Sequence, residues 1–146
     1  MHCARLYRQA AEAGNARAQC NLAFFYYHGI AVEKDPAEAF KWFAKAAQQG
    51  YIRAEYYLGE CYEYGLGVTK DLTKAVEFYG KADQGGRADA AFALGRCYEN
   101  GLGVKQDLKK ALEYYQQSVQ RGNKGAEDAV KRLSGKKPRR WPWSKK

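Results

Sequence analysis

Apolar residues recur along the chain at helical spacing, in blocks of about a dozen separated by short glycine-containing breaks. From Ala54, one stripe takes in Leu58, Cys61 and Tyr62 and closes at Gly65, the three- and four-residue spacing of an amphipathic helix. A glycine just past such a stripe suits a left-handed C-terminal cap. The connector GLGVTKD then leads to Asp71, an N-cap for a second helix. The preceding block is marked more sharply. Asp35, Pro36 and Glu38 supply an N-cap, a proline at the first helical position and a capping-box acid. Behind them Ala39, Trp42, Phe43, Ala46 and Ala47 share one side, and Gly50 ends the run. The alanines let paired helices approach, and the aromatics fill the remaining volume.

This two-helix pattern recurs with a fixed period. Ala18, Ala54, Ala90 and Ala126 stand 36 residues apart, and Leu22, Leu58 and Leu94, then Tyr26, Tyr62 and Tyr98, keep the same offset. So do Gly29, Gly65 and Gly101, Asp35, Asp71 and Asp107, and Gly50, Gly86 and Gly122. Residues 54–89 and 90–125 are identical at 18 of 36 positions without a gap. Periods of this length signify stacked helical hairpins. The organisation is an array over residues 1–133, with a half repeat at 1–17, repeats at 18–53, 54–89 and 90–125, and a terminal helix at 126–133. A tail follows at 134–146. Gly135, Pro138 and Pro142 are expected to break any helix there, leaving the tail as a flexible arm.

The pattern A-x3-L-G-x2-Y-x2-G-x-G-V-x2-D-x3-A, followed by an aromatic pair and a closing glycine, resembles the Sel-1-like repeat, a relative of the tetratricopeptide repeat. LGECYEYGLGV (58–68) and LGRCYENGLGV (94–104) carry the likeness most strongly. Ala23 and Ala31 depart from it, since each replaces a glycine; a positive φ at Ala31 costs about 1 kcal/mol. The resemblance implies an all-α, right-handed α-solenoid of antiparallel helix pairs, with scaffold or adaptor work done on a concave face lined by the first helices. Each repeat of such an array contacts mainly its neighbours.

On a helical wheel, the residues opposite the Ala-Leu-Tyr stripe are Cys20, Phe24 and Tyr27 in repeat one. In repeat two they are Tyr56, Glu60 and Glu63, and in repeat three Phe92, Arg96 and Glu99. These match the ligand-facing positions of related tetratricopeptide arrays. Aromatic and Arg side chains grouped this way suit capture of an extended or helical peptide. Tyr56 and Phe92 fit equally well as wedges between adjacent repeats. The three glutamates against Arg96 point to a mildly acidic centre and a basic or mixed-charge peptide.

Candidate chemistry is thin. Cys3, Cys20, Cys61 and Cys97 contain no C-x-x-C pair, so neither a metal site nor a redox pair is expected. Cys61 and Cys97 lie one repeat apart, where stacked helices are about 8–10 Å from each other, beyond the ~7 Å reach of a disulfide. They read as buried apolar fillers. His2 and His28 are the two histidines; His28 suits a helix C-terminus. Ser118 takes the place of a repeat alanine and is expected to be buried. The G-L-G-V-x-x-D connector lacks the third glycine of a dinucleotide loop and the Lys-Ser/Thr ending of a P-loop, and it follows a helix. No enzyme and no cofactor is expected.

Composition changes the picture at one end only. The net charge of +9 comes from 25 Lys and Arg against 16 Asp and Glu, but residues 131–146 hold eight basic residues and no acid. Residues 1–130 carry 17 positive against 16 negative charges, so the body lacks the basic face of a nucleic-acid-binding fold. In the tail, Lys136, Lys137, Arg139 and Arg140 precede Trp141 and Trp143. That mixture suits an anionic membrane surface, a nucleic acid, or an end whose tryptophans fold back over the last helix. The absence of a signal-like or membrane-spanning apolar run gives an expectation of a cytoplasmic protein. The half repeat at the start leaves an apolar face near Leu6, Tyr7 and Ala10. Either an upstream segment or self-association is expected to cover it.

Overall fold

The computed structural model describes residues 2–136, and these fold as α-helices joined by short connectors. In chain order they are α1 (His2–Glu12), α2 (Ala16–His28), α3 (Pro36–Gln48), α4 (Ile52–Tyr64), α5 (Leu72–Gln84), α6 (Ala88–Asn100), α7 (Leu108–Gln120) and α8 (Glu127–Lys136). A single 3-10 turn, Lys124–Ala126, precedes α8. Each helix packs chiefly on the one before and the one after it. α2/α3, α4/α5 and α6/α7 are the three repeats, α1 is a second helix without its first, and α8 is a first helix. The array is an α-solenoid in which every interface is local in sequence.

The expected end signals operate. Asp35, Asp71 and Asp107 accept from the backbone N–H of Glu38, Lys74 and Lys110 respectively, and Gly29, Gly65 and Gly101 close the first helices in the left-handed conformation. The stripe residues Ala54, Leu58, Cys61, Ala90, Leu94 and Cys97 are all buried. Ser118 is buried too and donates to the Ala88 carbonyl at 2.7 Å, tying α7 to the start of α6.

Two glycine positions set how close the helices approach. A methyl group at Gly59 would stand 2.5 Å from the Tyr79 ring, and one at Gly95 2.7 Å from Tyr115, so the aromatic of each second helix lies directly on the glycine of its first. Gly67 and Gly103 adopt φ of 73° and 74°. A methyl there would run into the carbonyl of Pro36 or Leu72, at the start of the preceding second helix. The equivalent residue of repeat one, Ala31, takes the same left-handed conformation with φ of 63°. The helix at that place is α1, which opens at His2, the counterpart of Glu38.

The C-terminal end of the array differs from the sequence reading. α8 continues through Gly135 to Lys136, past the break expected at residue 134. Gly135 has open space around it, and a glycine in a helix costs only about 1 kcal/mol relative to alanine, so it does not end the helix by itself. Lys137, Arg139, Arg140, Trp141 and Trp143 lie outside the described residues. At the other end Leu6 is 50% exposed, while Tyr7 meets Phe25 edge-on at 5.4 Å. Phe25 stands where the later repeats have Cys61 and Cys97, and its larger ring covers part of the α1 face. Among the described residues no helix is long and apolar enough to cross a membrane, and no group of His, Cys, Asp and Glu is placed to hold a metal ion.

Candidate partner-binding face

The first helices α2, α4 and α6 present one continuous side, and the residues singled out from the sequence fall into three groups on it. The first group is not on the surface at all. Cys20 is fully buried in the core, which removes it as a contact residue; burial also pushes its thiol up to about 11. Its helical-wheel position is sound, but the neighbouring repeat closes over a side chain as short as cysteine. Cys61 and Cys97 are likewise buried as free thiols.

The second group staples one repeat to the next. Glu63 is buried. It accepts from the Tyr79 hydroxyl at 2.6 Å and from both terminal nitrogens of Arg96, at 2.8 and 3.0 Å. Burial raises the Glu63 carboxyl, but the hydrogen bonds from Arg96 and Tyr79, with the Arg96 charge, outweigh it and hold the group below its ordinary value. One repeat on, Glu99 accepts from Tyr115 at 2.7 Å and pairs with Arg132 of α8. Glu63, Glu99 and Arg96 are therefore joints of the array before they are contacts for anything else. Repeat one makes the same joint with opposite polarity. Tyr27 occupies the glutamate position and donates at 2.8 Å to Glu60, which occupies the arginine position. Phe43, in the place of Tyr79 and Tyr115, packs its ring against Tyr27 at 5.8 Å and needs no hydroxyl, because no carboxylate stands there to accept it.

The third group is an open aromatic cluster over repeats one and two. Phe24 and Tyr57 meet edge-on at 5.8 Å, Tyr27 and Tyr57 at 5.5 Å, and Tyr56 and Tyr57 at 5.3 Å. His28 rests on Phe24 at 4.3 Å. The Arg53 guanidinium lies 4.9 Å from the Phe24 centroid and 5.7 Å from that of Tyr57, and it donates to Asn21 Oδ1 at 3.1 Å. Tyr64, one turn beyond Glu60, is 55% exposed. Phe92 sits farther along, tilted on Tyr115 of its own repeat at 5.4 Å. Arg53, Tyr57 and Tyr64 lie outside the set that the wheel places opposite the stripe. Arg53, Tyr57 and Asn21 sit one helical turn from Tyr56, Glu60 and Phe24, a spacing that alone would have added them.

Comparison with known proteins gives the same architecture. The Sel1 repeat profile matches residues 2–15, 16–51, 52–82 and 88–123. A Sel1 repeat protein of Oxalobacter formigenes is 33% identical over 81% of this chain and 48% of its own, with a TM-score of 0.77. A protective antigen present in uropathogenic Escherichia coli strains, with an SLR fold, is 36% identical over 86% of this chain and 27% of its own, at 0.81. Cysteine rich protein B of Helicobacter pylori is 25% identical over 86% and 96%, at 0.68. The chain thus spans about half of the first relative and about a quarter of the second. No curated protein matches it. Sel1 repeat proteins are generally protein-interaction scaffolds, a typically non-catalytic use of the fold. With the profile running through four successive segments and the helix pairs stacked in the same order, this chain belongs to the Sel1 repeat family.

Proposed function

We propose that this chain is a non-enzymatic interaction scaffold that captures a peptide or protein segment on the first-helix face of repeats one and two. The observation that carries the reading is the aromatic cluster. Phe24, Tyr56, Tyr57 and Tyr64 are all left at least partly open on helices whose caps and inter-repeat joints already hold them rigid. Preorganised aromatic rings lose little conformational freedom on binding, and such residues dominate measured binding energies. The same side at the boundary of repeats two and three is taken up by the joint between Glu63, Arg96 and Tyr79, which favours a ligand seat toward the N-terminal half of the array.

The test uses an array of random synthetic decapeptides. Phe24→Ala with Tyr64→Ser trims two rings of the cluster and leaves the Arg96 and Tyr79 bonds to Glu63 in place, although Tyr64 also hydrogen-bonds Glu63. The expected result is at least a tenfold loss of the binding seen with the wild-type chain, with unchanged helicity by circular dichroism. Full binding by the folded double variant would overturn the reading.

A further inference from the structure

Within that aromatic cluster one charge is left without a counter-ion. Glu60 accepts from Tyr27 through Oε1 and from Tyr56 through Oε2, each at 2.8 Å, and among the described residues no cation pairs with it. The other first-helix carboxylates of this side are neutralised: Glu63 by Arg96, Glu99 by Arg132 and Asp89 by Arg87. The nearby cations are committed elsewhere. Arg53 lies over Phe24 and Tyr57 and binds Asn21, and Arg87 lies over Tyr56 while it holds Asp89.

We infer that Glu60 is the subsite for a single Lys or Arg side chain of the bound peptide; this rests on the proposed binding at the same face. Each carboxylate oxygen uses one acceptor position on a phenol and keeps another. The two hydroxyl bonds fix the carboxylate's orientation without reducing its charge. Tyr56, which donates to it, meets Tyr57 edge-on at 5.3 Å, so the carboxylate stands at the border of the aromatic cluster. A carboxylate with its orientation fixed and no internal counter-ion is complementary to an ammonium or guanidinium, and to neither a neutral nor an acidic side chain.

The surroundings also limit the peptide. Arg53 lies seven residues before Glu60 on the same helix, about 10 Å along its axis. A run of basic residues would bring a second cation against Arg53. The preferred ligand therefore carries an isolated basic residue with neutral or acidic neighbours.

The random decapeptide array decides this when probed with the wild-type chain and with Glu60→Gln, a variant that keeps both phenol bonds possible. Peptides bound by wild type are expected to share one Lys or Arg, and Glu60→Gln is expected to weaken them at least tenfold. In a second arm, the basic residue of each bound peptide is replaced by norleucine or citrulline, and wild-type binding should fall equally without any change to the protein. If peptides bind with no basic preference, or tolerate the neutral replacements, the Glu60 subsite is wrong while the proposed function stands. Preference for polybasic runs also overturns it. If no peptide binds, the proposed function falls and this inference with it.

Discussion

The Arg96 guanidinium meets the Glu63 carboxylate side by side, Nη1 at 2.8 Å from one oxygen and Nη2 at 3.0 Å from the other, across the boundary between repeats two and three. Glu63 is buried, so removing its partner strands a charge that has already lost its water. We expect Arg96→Gln to cost about 2–3 kcal/mol, as hydrogen bonds to charged groups do. Folded Glu63 is held below its ordinary carboxyl range, so its contribution is complete above that range. It is lost as pH falls through the lowered native value. Urea denaturation of wild type and Glu63→Gln between pH 3 and 7 checks the sign: the variant should show a flatter loss of stability on the acid side.

Across the first joint, polarity is reversed, and a swap can test whether the joints are interchangeable. Tyr27→Glu alone sets a carboxylate against Glu60, with the Phe43 ring alongside in place of a hydroxyl donor. It should destabilise by roughly 2 kcal/mol. Adding Glu60→Arg and Phe43→Tyr rebuilds the arrangement of Glu63, Arg96 and Tyr79 and should recover most of that loss. Equal stability of the single and triple variants would show that the joint contributes nothing through its polar groups. A thermal melt of each variant is sufficient.

Much of this structure could be read from the chain. Asp35, Asp71 and Asp107 cap their helices because an N-cap needs only local geometry, and local geometry repeats with the sequence. The binding face was less legible for a physical reason. A helical wheel says that Cys20, Tyr56 and Phe92 share a side, but not how deeply the adjoining repeat covers each of them. Burial at this face depends on side-chain length and on the partner 33 residues away, as with Arg96 and Glu63. The reach of α8 past Gly135 shows the opposite limit, because a residue of weak helix preference reads as a stop in the sequence although Gly135 has open space around it and the helix continues.

Cysteine reactivity provides a check on the core. Burial pushes the thiols of Cys20 and Cys97 up to about 11, and that of Cys61 up to about 12 with the Glu60 charge beside it. The thiolate is the reactive species, so all three should resist a disulfide reagent at neutral pH while the chain is folded. In a Cys3→Ser background, we expect almost no rapid release of thionitrobenzoate from native protein and three equivalents after addition of urea. Fast labelling of any thiol in the native state would mean that the repeats open there.

The last prediction separates two costs that a non-glycine residue can incur in the connector. At Ala31 the left-handed φ of 63° costs the strain of a β-carbon, and the structure already accommodates the methyl group. Ala31→Gly relieves the strain but gives the unfolded chain more freedom. The net gain should be about 0.5–1 kcal/mol. At Gly67 the same substitution in reverse meets both obstacles, since the new methyl would carry the φ strain and collide with the Pro36 carbonyl. Backbone cannot rotate away as a side chain can, so repeats one and two would have to separate locally. Gly67→Ala should therefore lose roughly 2–3 kcal/mol, several times what Ala31→Gly gains. Matched denaturant titrations of the two variants measure both numbers. Equal and opposite values would mean that φ strain alone governs the connector and that the close approach of Gly67 to α3 carries no energy.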